Sequence, residues 1–316
     1  MNLIYKGAQF MHIGIIGLGR MGLNMARRLH LSGHTVIVYN KTPEKIKTAQ
    51  GEGIKGAYSI KELCGALPKP KTVWLMIPAG RPVDDMLGSV KGYLSEGDTV
   101  VDGGNSFYKD AVRRHKELKE LKIDFLDAGV SGGIWGLKNG YCIMAGGQRE
   151  AFDRLTPILK SLAAENAYLF CGAPGAGHFV KMAHNAIEYG MMEAYAEGFE
   201  LLKTSEYGGV DMAEVSALWM RGSVVRSWLL ELLEGALRKD KGLSSISGYV
   251  EDSGEGRWSV MDAVERGVNM PVITASLFRR FRSRQDESFG EKILAAMRAE
   301  FGGHAVKAEK KAGKKE

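Results

Sequence analysis

The residues best suited to chemistry lie in one segment, residues 177–190 (GHFVKMAHNAIEYG). If this segment is an α-helix, with about 3.6 residues per turn, four polar residues fall on one narrow face: Lys181, His184, Asn185 and Glu188. Lys181 and Glu188 would then lie about 10 Å apart along the axis, so a base and an acid could flank a short-chain substrate. Apolar residues surround this polar face and predict a largely buried helix. A structural ion-pair network would explain the pattern equally well.

A glycine-rich turn stands near the beginning of the chain, between an apolar run at 12–16 and a helical pattern that extends through residue 31; a second apolar run covers 35–39. This order is the context that the dinucleotide-binding pattern G-x-G-x-x-G requires. The first glycine permits the tight turn, the second lets the backbone approach a pyrophosphate, and the third allows helix and strand to pack closely. We predict that the dinucleotide binds at Gly17, Leu18, Gly19, Arg20, Met21 and Gly22.

Three polar residues follow the second predicted strand: Asn40, Lys41 and Thr42. A site for NAD usually carries Asp or Glu here, which binds the ribose 2′-hydroxyl. This chain has no carboxylate at that point to repel a 2′-phosphate, and Lys41 adds a positive charge. We therefore predict NADP as the cofactor. NAD is the alternative, because lysine is a less directional phosphate partner than arginine.

Further apolar runs at 72–77, 99–102 and 125–128 alternate with helical stretches. Such alternation predicts an α/β, Rossmann-like N-terminal domain over residues 11–175, with a mostly parallel sheet and helices on both faces. Ligands of such sheets bind beyond the carboxyl ends of the strands. Three loops rich in Gly, Asn and Ser should meet at that edge, at 78–80, 103–106 and 131–133.

The β-rich runs vanish after about residue 176. A long helix over 176–204 leads into further helical patterns near 211–220, 224–239, 257–266 and 288–300, so we predict an all-α C-terminal domain at 176–304. The basic segment 305–316 is expected to be a disordered tail. The predicted long helix would bring the Lys181 face against the nucleotide-binding sheet.

Bulk properties of the 316 residues exclude several classes of protein. No run approaches the roughly 18 apolar residues of a membrane span, and residues 1–10 do not resemble a signal peptide. The three cysteines are widely spaced and match no metal or redox pattern. The net charge of +6 is not accompanied by a nucleic-acid-binding motif. We expect a cytoplasmic protein that needs no metal and has no nucleic-acid or membrane partner.

Four segments carry more specific motifs: 101–106 (VDGGNS), 129–133 (GVSGG), 181–189 (KMAHNAIEY) and 298–304 (RAEFGGH). Together they resemble the decarboxylating 6-phosphogluconate dehydrogenases, in their short form with a single helical repeat. The likeness extends from about residue 12 to 304. The glycine-rich turn alone would be generic, whereas these four segments are much more specific.

The resemblance implies roles for matching residues. Lys181 corresponds to the general base that takes the proton of the substrate's 3-hydroxyl, and Glu188 to the acid that protonates the enediol left after decarboxylation. The implied substrate contacts are Asn105, Ser131, Gly132, Gly133, His184, Asn185, Tyr189, Arg280, Arg298 and His304. The implied cofactor contacts, beyond the glycine-rich turn and residues 40–42, are Ile77, Ala79 and Asn105.

The implied reaction converts 6-phospho-D-gluconate to D-ribulose 5-phosphate and CO2 in the pentose phosphate pathway, with reduction of NADP or NAD. Arg298 and His304 match residues that reach the substrate phosphate from a neighbouring subunit, so the resemblance implies a homodimer or homotetramer.

Two other functions stay open. One is a different β-hydroxyacid dehydrogenase, for example one acting on 3-hydroxyisobutyrate, since those enzymes share the Ser-Gly-Gly loop and the helix lysine. The other is a non-catalytic NADP-binding sensor, although a sensor has no need of an acid–base pair such as Lys181 and Glu188.

Overall fold

A computed structural model describes residues 10–207, 209–302 and 305–307. The chain divides into two compact units, with the boundary between Asn185 and Ala186. We call them the first and the second unit.

The first unit is built on one eight-stranded sheet, with the strand order β3-β2-β1-β4-β5-β6-β7-β8. All neighbouring strands are parallel except β6 and β7. The predicted mostly parallel sheet is therefore confirmed, and its first six strands have the order of a Rossmann fold. The strands are β1 (His12–Ile16), β2 (Thr35–Tyr39), β3 (Lys55–Gly56), β4 (Thr72–Leu75), β5 (Thr99–Asp102), β6 (Asp124–Ser131), β7 (Tyr141–Gly147) and β8 (Ala163–Gly172).

Helices cover both faces of this sheet, as the sequence predicts. Successive strand residues point to opposite faces: Ile15 packs into one apolar cluster and Ile16 into another. The first cluster includes residues of α1, α2 and α7, and the second includes residues of α3, α4 and α5. The helices are α1 (Arg20–Leu31), α2 (Pro43–Gly51), α3 (Ile60–Gly65), α4 (Arg81–Val90), α5 (Tyr108–Glu120), α6 (Gly136–Asn139), α7 (Arg149–Leu162) and α8 (Ala176–Lys203), which continues into the second unit.

The second unit is helical wherever its described residues have regular secondary structure, which confirms the predicted helical C-terminal region. Its helices after α8 are α9 (Met212–Trp219), α10 (Trp228–Lys239), α11 (Glu255–Arg266), α12 (Pro271–Arg282) and α13 (Phe289–Gly302). Helix α12 is absent from the predicted set. It begins at a proline, which is tolerated at the first helical position because no intrahelical bond needs its N–H there.

Helix α8 is less buried than the sequence predicts. Met182 and Ala186 are buried, whereas the side chains of Val180 and Ile187 are 40% and 58% exposed. The expectation of a largely buried helix is wrong for that side. Across the described residues, none of the helices combines the length and apolar character needed to cross a membrane.

The glycine-rich turn supplies a test of the packing. A Cβ on Gly22 would lie 2.0 Å from the carbonyl oxygen of Gly17, whereas a Cβ on Gly19 would meet nothing within 4 Å. We expect Gly22→Ala to lower the free energy of unfolding by about 1–3 kcal/mol, the usual cost of overpacking. Gly19→Ala should change it by less than about 0.5 kcal/mol. Urea unfolding followed by circular dichroism measures both; equal stabilities would contradict this packing.

Candidate active site

The glycine-rich turn connects β1 to α1 at the carboxyl edge of the sheet. Gly17 has φ +100°, and a Cβ there would come within 2.4 Å of the Met76 carbonyl oxygen. The backbone N–H of Leu18 donates to Oδ1 of Asn40 at 2.9 Å, which ties the turn to the end of β2. The turn therefore requires glycine, and the Asn40 side chain holds its conformation.

The N-terminus of α1 fits a dinucleotide pyrophosphate. Gly19 is the N-cap, with no side-chain hydrogen bond to the first turn, and the first turn contains no acidic residue. The free N–H groups and the helix dipole favour an anion. Gly19 and Arg20 are exposed, and the strand order reverses between β1 and β4, where such sheets bind their ligands. Lys41 is exposed just beyond β2.

Three more loops lie at the same edge, because β4, β5 and β6 run parallel to β1. The loop after β4 carries the half-buried Ile77 and Ala79. The loop after β5 carries the exposed Asn105. Ser131 ends β6, followed by Gly132 and Gly133 with φ values of +127° and +52°. The predicted meeting of these loops at one sheet edge is confirmed by the strand directions.

A polar cluster forms where the first turns of α8 lie against β6. Nζ of Lys181 donates to Oδ1 of Asn185 at 2.5 Å and lies 3.4 Å from Nδ1 of His184. Nδ1 of His184 is also 2.9 Å from Asn185 Oδ1, and its Nε2 is 3.4 Å from the Ser131 hydroxyl. Lys181 and Asn185 are only 7% and 8% exposed. Four predicted site residues therefore come together within the first unit.

Hydrogen bonds in this cluster constrain the imidazole. The amide oxygen of Asn185 can only accept, so the contact with Nδ1 of His184 is satisfied when that nitrogen carries the proton. Nε2 can then accept a hydrogen bond from the Ser131 hydroxyl. The cluster thus contains a lysine held by an amide, and a hydroxyl oriented by an imidazole.

Strand β6 holds α8 in place. The fully buried Asp127 carboxylate accepts the backbone N–H of Gly175 at 2.7 Å and of His178 at 2.8 Å. A Cβ on Gly129 would lie 2.3 Å from Cβ of Lys181, so glycine is needed where the helix crosses the strand. Lys181 therefore lies directly over Gly129 of β6, which is two residues before Ser131 in the strand.

A buried charged group that the sequence does not predict includes His178, in the first turn of α8. The Arg114 guanidinium bonds Asp102 Oδ2 at 3.1 Å, and Nε2 of His178 lies 3.6 Å from the same oxygen. Burial alone would lower the pKa of His178, but the charges of Asp102 and Asp127 raise it above its ordinary value. The available signal was Arg114 itself, which occupies the apolar face of α5 between the buried Ala111 and Leu118.

The second unit contains a separate group of predicted residues around Tyr189. The Tyr189 hydroxyl accepts the backbone N–H of Ser253 at 2.9 Å and lies 3.1 Å from its hydroxyl oxygen. The Arg280 guanidinium lies 3.6 Å from the centre of the Tyr189 ring and donates to the Glu251 carbonyl at 2.8 Å. Two predicted substrate-binding residues, Tyr189 and Arg280, are therefore in contact.

Two further arginines converge on Asp252, next to this group. Arg257 Nε donates to the Asp252 carboxylate at 2.6 Å, and Arg284 bonds its other oxygen. The hydrogen bond from Arg257 lowers the pKa of Asp252 most; burial opposes it and Arg284 adds to it, so that the pKa is about 2. Three arginines and one carboxylate make the contacts described for this region, and arginine is well suited to bind an anion such as a phosphate.

Three predicted residues remain: Glu188, Arg298 and His304. Glu188 is half-buried on the part of α8 that belongs to the second unit, and Arg298 is exposed on α13. His304 lies outside the described residues. Within the part of the chain that the structure describes, no three His, Cys, Asp or Glu side chains are grouped as a metal site would require.

A Rossmann-type sheet whose carboxyl edge carries a buried lysine is typical of dehydrogenases that use a nicotinamide dinucleotide. Two family models match the chain: the NAD binding domain of 6-phosphogluconate dehydrogenase over residues 12–172, and the C-terminal domain of 6-phosphogluconate dehydrogenase over 177–315. The chain belongs to the 6-phosphogluconate dehydrogenase family.

Individual proteins agree with this assignment. Bacillus subtilis YqeC, provisionally named a 6-phosphogluconate dehydrogenase, is 44% identical over 94% of this chain and 99% of its own. The NAD(+)-dependent, decarboxylating 6-phosphogluconate dehydrogenase of Haloferax volcanii is 40% identical over 94% and 98%. Plasmodium falciparum 6-phosphogluconate dehydrogenase, whose structures include complexes with NADP+ and 6-phosphogluconate, has a TM-score of 0.81 at 30% identity, covering 95% of this chain and 67% of that one.

The Asp252 group predicts a pH-dependent stability. Because the folded pKa of about 2 lies below the ordinary 3.8, the ionised carboxylate stabilises the fold above pH 3.8, and this contribution is lost as the pH falls toward 2. Asp252→Asn should therefore be less stable than the wild type at neutral pH, and the difference should shrink below pH 3.8. Urea unfolding at a series of pH values measures it.

Asp153→Asn is the control for this experiment. Asp153 is 54% exposed and pairs with Arg149 on the surface at 2.9 Å, so its loss should cost little at any pH. A difference between Asp252→Asn and the wild type that did not change with pH would contradict the assignment.

Proposed function

We propose that this protein oxidatively decarboxylates 6-phospho-D-gluconate to D-ribulose 5-phosphate and CO2, with NADP as the electron acceptor, in the pentose phosphate pathway. The observation that carries the proposal is the cluster of Lys181, Asn185, His184 and Ser131 at the sheet edge that also bears the dinucleotide-binding turn. The names of the Haloferax and Plasmodium relatives support the same substrate.

The first chemical step removes a proton from the 3-hydroxyl and a hydride from C3 of the substrate. Neutral Lys181 takes the proton of the 3-hydroxyl, while Asn185, Ser131 and His184 bind the neighbouring hydroxyls. NADP, when bound, would supply the acceptor for the hydride. The product of this step is a β-keto acid, and Lys181 becomes an ammonium ion.

The second step releases CO2. The bond between C1 and C2 breaks, and its electron pair passes to C2 and the new carbonyl, forming an enediolate. The Lys181 ammonium, placed by Asn185, stabilises the negative charge that develops on the carbonyl oxygen. Glu188 then protonates the carbon that has lost CO2, which completes D-ribulose 5-phosphate.

The phosphate end of the substrate is assigned to the second unit. Tyr189 and Arg280 bind it, and Arg298 and His304 reach it from a neighbouring subunit of a homodimer or homotetramer. The excess of arginine over carboxylate around Tyr189 supports the first pair. The subunit contribution rests on the family resemblance of residues 298–304.

The preference for NADP is assigned to Lys41. Asn40 is occupied in holding Leu18, so its amide serves the turn, whereas the exposed Lys41 is available to a 2′-phosphate. Thr42 follows it, and we assign Ile77, Ala79 and Asn105, which lie in the loops after β4 and β5, to contacts with the cofactor.

A single assay tests the proposed reaction. Purified protein is mixed with 6-phosphogluconate and either NADP or NAD, and both the absorbance of the reduced cofactor and the release of CO2 are followed. We expect equal amounts of reduced cofactor and CO2, with a higher kcat/KM for NADP. Absence of reduction with both cofactors would refute the function. Reduction without CO2 would instead favour another β-hydroxyacid dehydrogenase.

The base is tested by Lys181→Met, which keeps the length of the side chain and removes the amine. We expect turnover to fall by about 10²–10⁴-fold, the usual contribution of a general base, or further, and NADP binding to be unchanged. Lys203→Met provides a matched control, because Lys203 is an exposed lysine in the last turn of the same helix. Wild-type turnover in Lys181→Met would refute the assignment of the base.

A further inference from the structure

We propose that Arg114, Asp102 and His178 form a positioning clamp, which sets the place of Lys181 relative to the cofactor-binding loop after β4. Its functional consequence rests on the proposed dehydrogenase reaction, in which Lys181 and the nicotinamide must meet the same carbon atom. None of the three is expected to touch the substrate.

Arg114 connects two of the loops at the sheet edge. Its side chain is fully buried in α5, and its three guanidinium nitrogens bond three different groups. Nη2 donates to the Gly80 carbonyl at 3.0 Å, Nη1 to Asp102 at 3.1 Å, and Nε to Asp84 at 2.8 Å. Gly80 directly follows Ala79 in the loop after β4, and Asp102 is the last residue of β5. One rigid guanidinium therefore sets the separation of the two loops.

His178 connects this group to α8. Its imidazole lies 3.6 Å from the Asp102 oxygen that Arg114 also binds, and its backbone N–H donates to Asp127 at 2.8 Å. The backbone of His178 is thus fixed by a hydrogen bond, while its buried Nε2 makes no hydrogen bond to a described residue and lies within ion-pair distance of Asp102. Lys181 follows three residues later, on the same side of the helix about one turn away. A displacement of His178 would be passed to Lys181 by the helix.

Stability alone does not explain this arrangement. Buried ion pairs often contribute little more than apolar residues of the same volume, because desolvation offsets their attraction. The clamp is distinguished by the positions of the groups that it connects. Gly80 follows Ala79, Asp102 precedes the loop 103–106, and His178 lies about one turn before Lys181. Each of these groups adjoins a segment that the proposed reaction uses.

The test compares Arg114→Lys with Arg113→Lys. Lysine keeps the buried positive charge but cannot bond three separated acceptors at once. Arg113 is the preceding residue of α5; it also bonds Asp84, at 2.9 Å, but is 46% exposed and faces Asp110 and Glu117. Both variants therefore disturb Asp84, and Arg114→Lys alone loosens the clamp.

We expect Arg114→Lys to lower kcat by about 10²-fold, since a shift of 1 Å at a reacting group can cost that much. KM for 6-phosphogluconate should change much less than kcat, and Arg113→Lys should match the wild type in both. His178→Gln, which keeps a polar group able to reach Asp102, should retain more activity than His178→Leu. Wild-type kcat in Arg114→Lys would overturn the proposal. If Arg114→Lys does not fold, the two His178 variants test the proposal instead. Equal activity of His178→Gln and His178→Leu would also overturn the proposal.

Amide hydrogen exchange separates the clamp from the reaction itself. In Arg114→Lys, peptides covering 76–80 and 176–185 should exchange faster than in the wild type, while in Arg113→Lys they should not. If the wild type does not turn over 6-phosphogluconate but exchange responds in this way, the proposed function fails and the clamp stands. Unchanged exchange in Arg114→Lys would overturn the clamp whatever the activity of the wild type.

Discussion

The site in the first unit depends on the hydrogen bonds that the Asp127 carboxylate accepts. This carboxylate is fully buried in β6, and both of its oxygens accept backbone N–H groups from the beginning of α8, at 2.7 and 2.8 Å. A buried carboxylate is costly unless such bonds are made, and the first N–H groups of a helix have no intrahelical partners. The same two hydrogen bonds therefore satisfy both the buried carboxylate and these backbone N–H groups. The helix must therefore begin at one particular place on the sheet.

Glycine then determines how closely helix and strand approach. A Cβ on Gly177 would lie 2.5 Å from the Asp127 carbonyl oxygen, and one on Gly129 would lie 2.3 Å from Cβ of Lys181. Because neither atom is present, α8 packs backbone against backbone on β6. Lys181 is buried as a consequence, and Ser131 at the end of the same strand comes within reach of His184.

Local patterns were enough to predict much of this site. Apolar runs identify β1, β2, β4 and β5, and helical periodicity places α8 within a residue of its observed end. The parallel direction of the strands then brings their loops to one edge. Strands β7 and β8 were not predicted. Strand β8 has only one fully buried residue and follows no clear alternation. The antiparallel pairing of β7 with β6 depends on non-local register. The contacts of Arg114 are also non-local: its partners Gly80 and Asp84 are 34 and 30 residues away in sequence.

The amide at position 185 suits a lysine that must both accept and release a proton. Asn185 orients Lys181 through a 2.5 Å hydrogen bond, as an aspartate could also do. An aspartate, however, would add a full negative charge beside the amine and so favour its protonated form. That form cannot take the proton of a substrate hydroxyl. The neutral amide provides the same orientation without this electrostatic bias, and the ammonium formed in the first step is still held in place for the second.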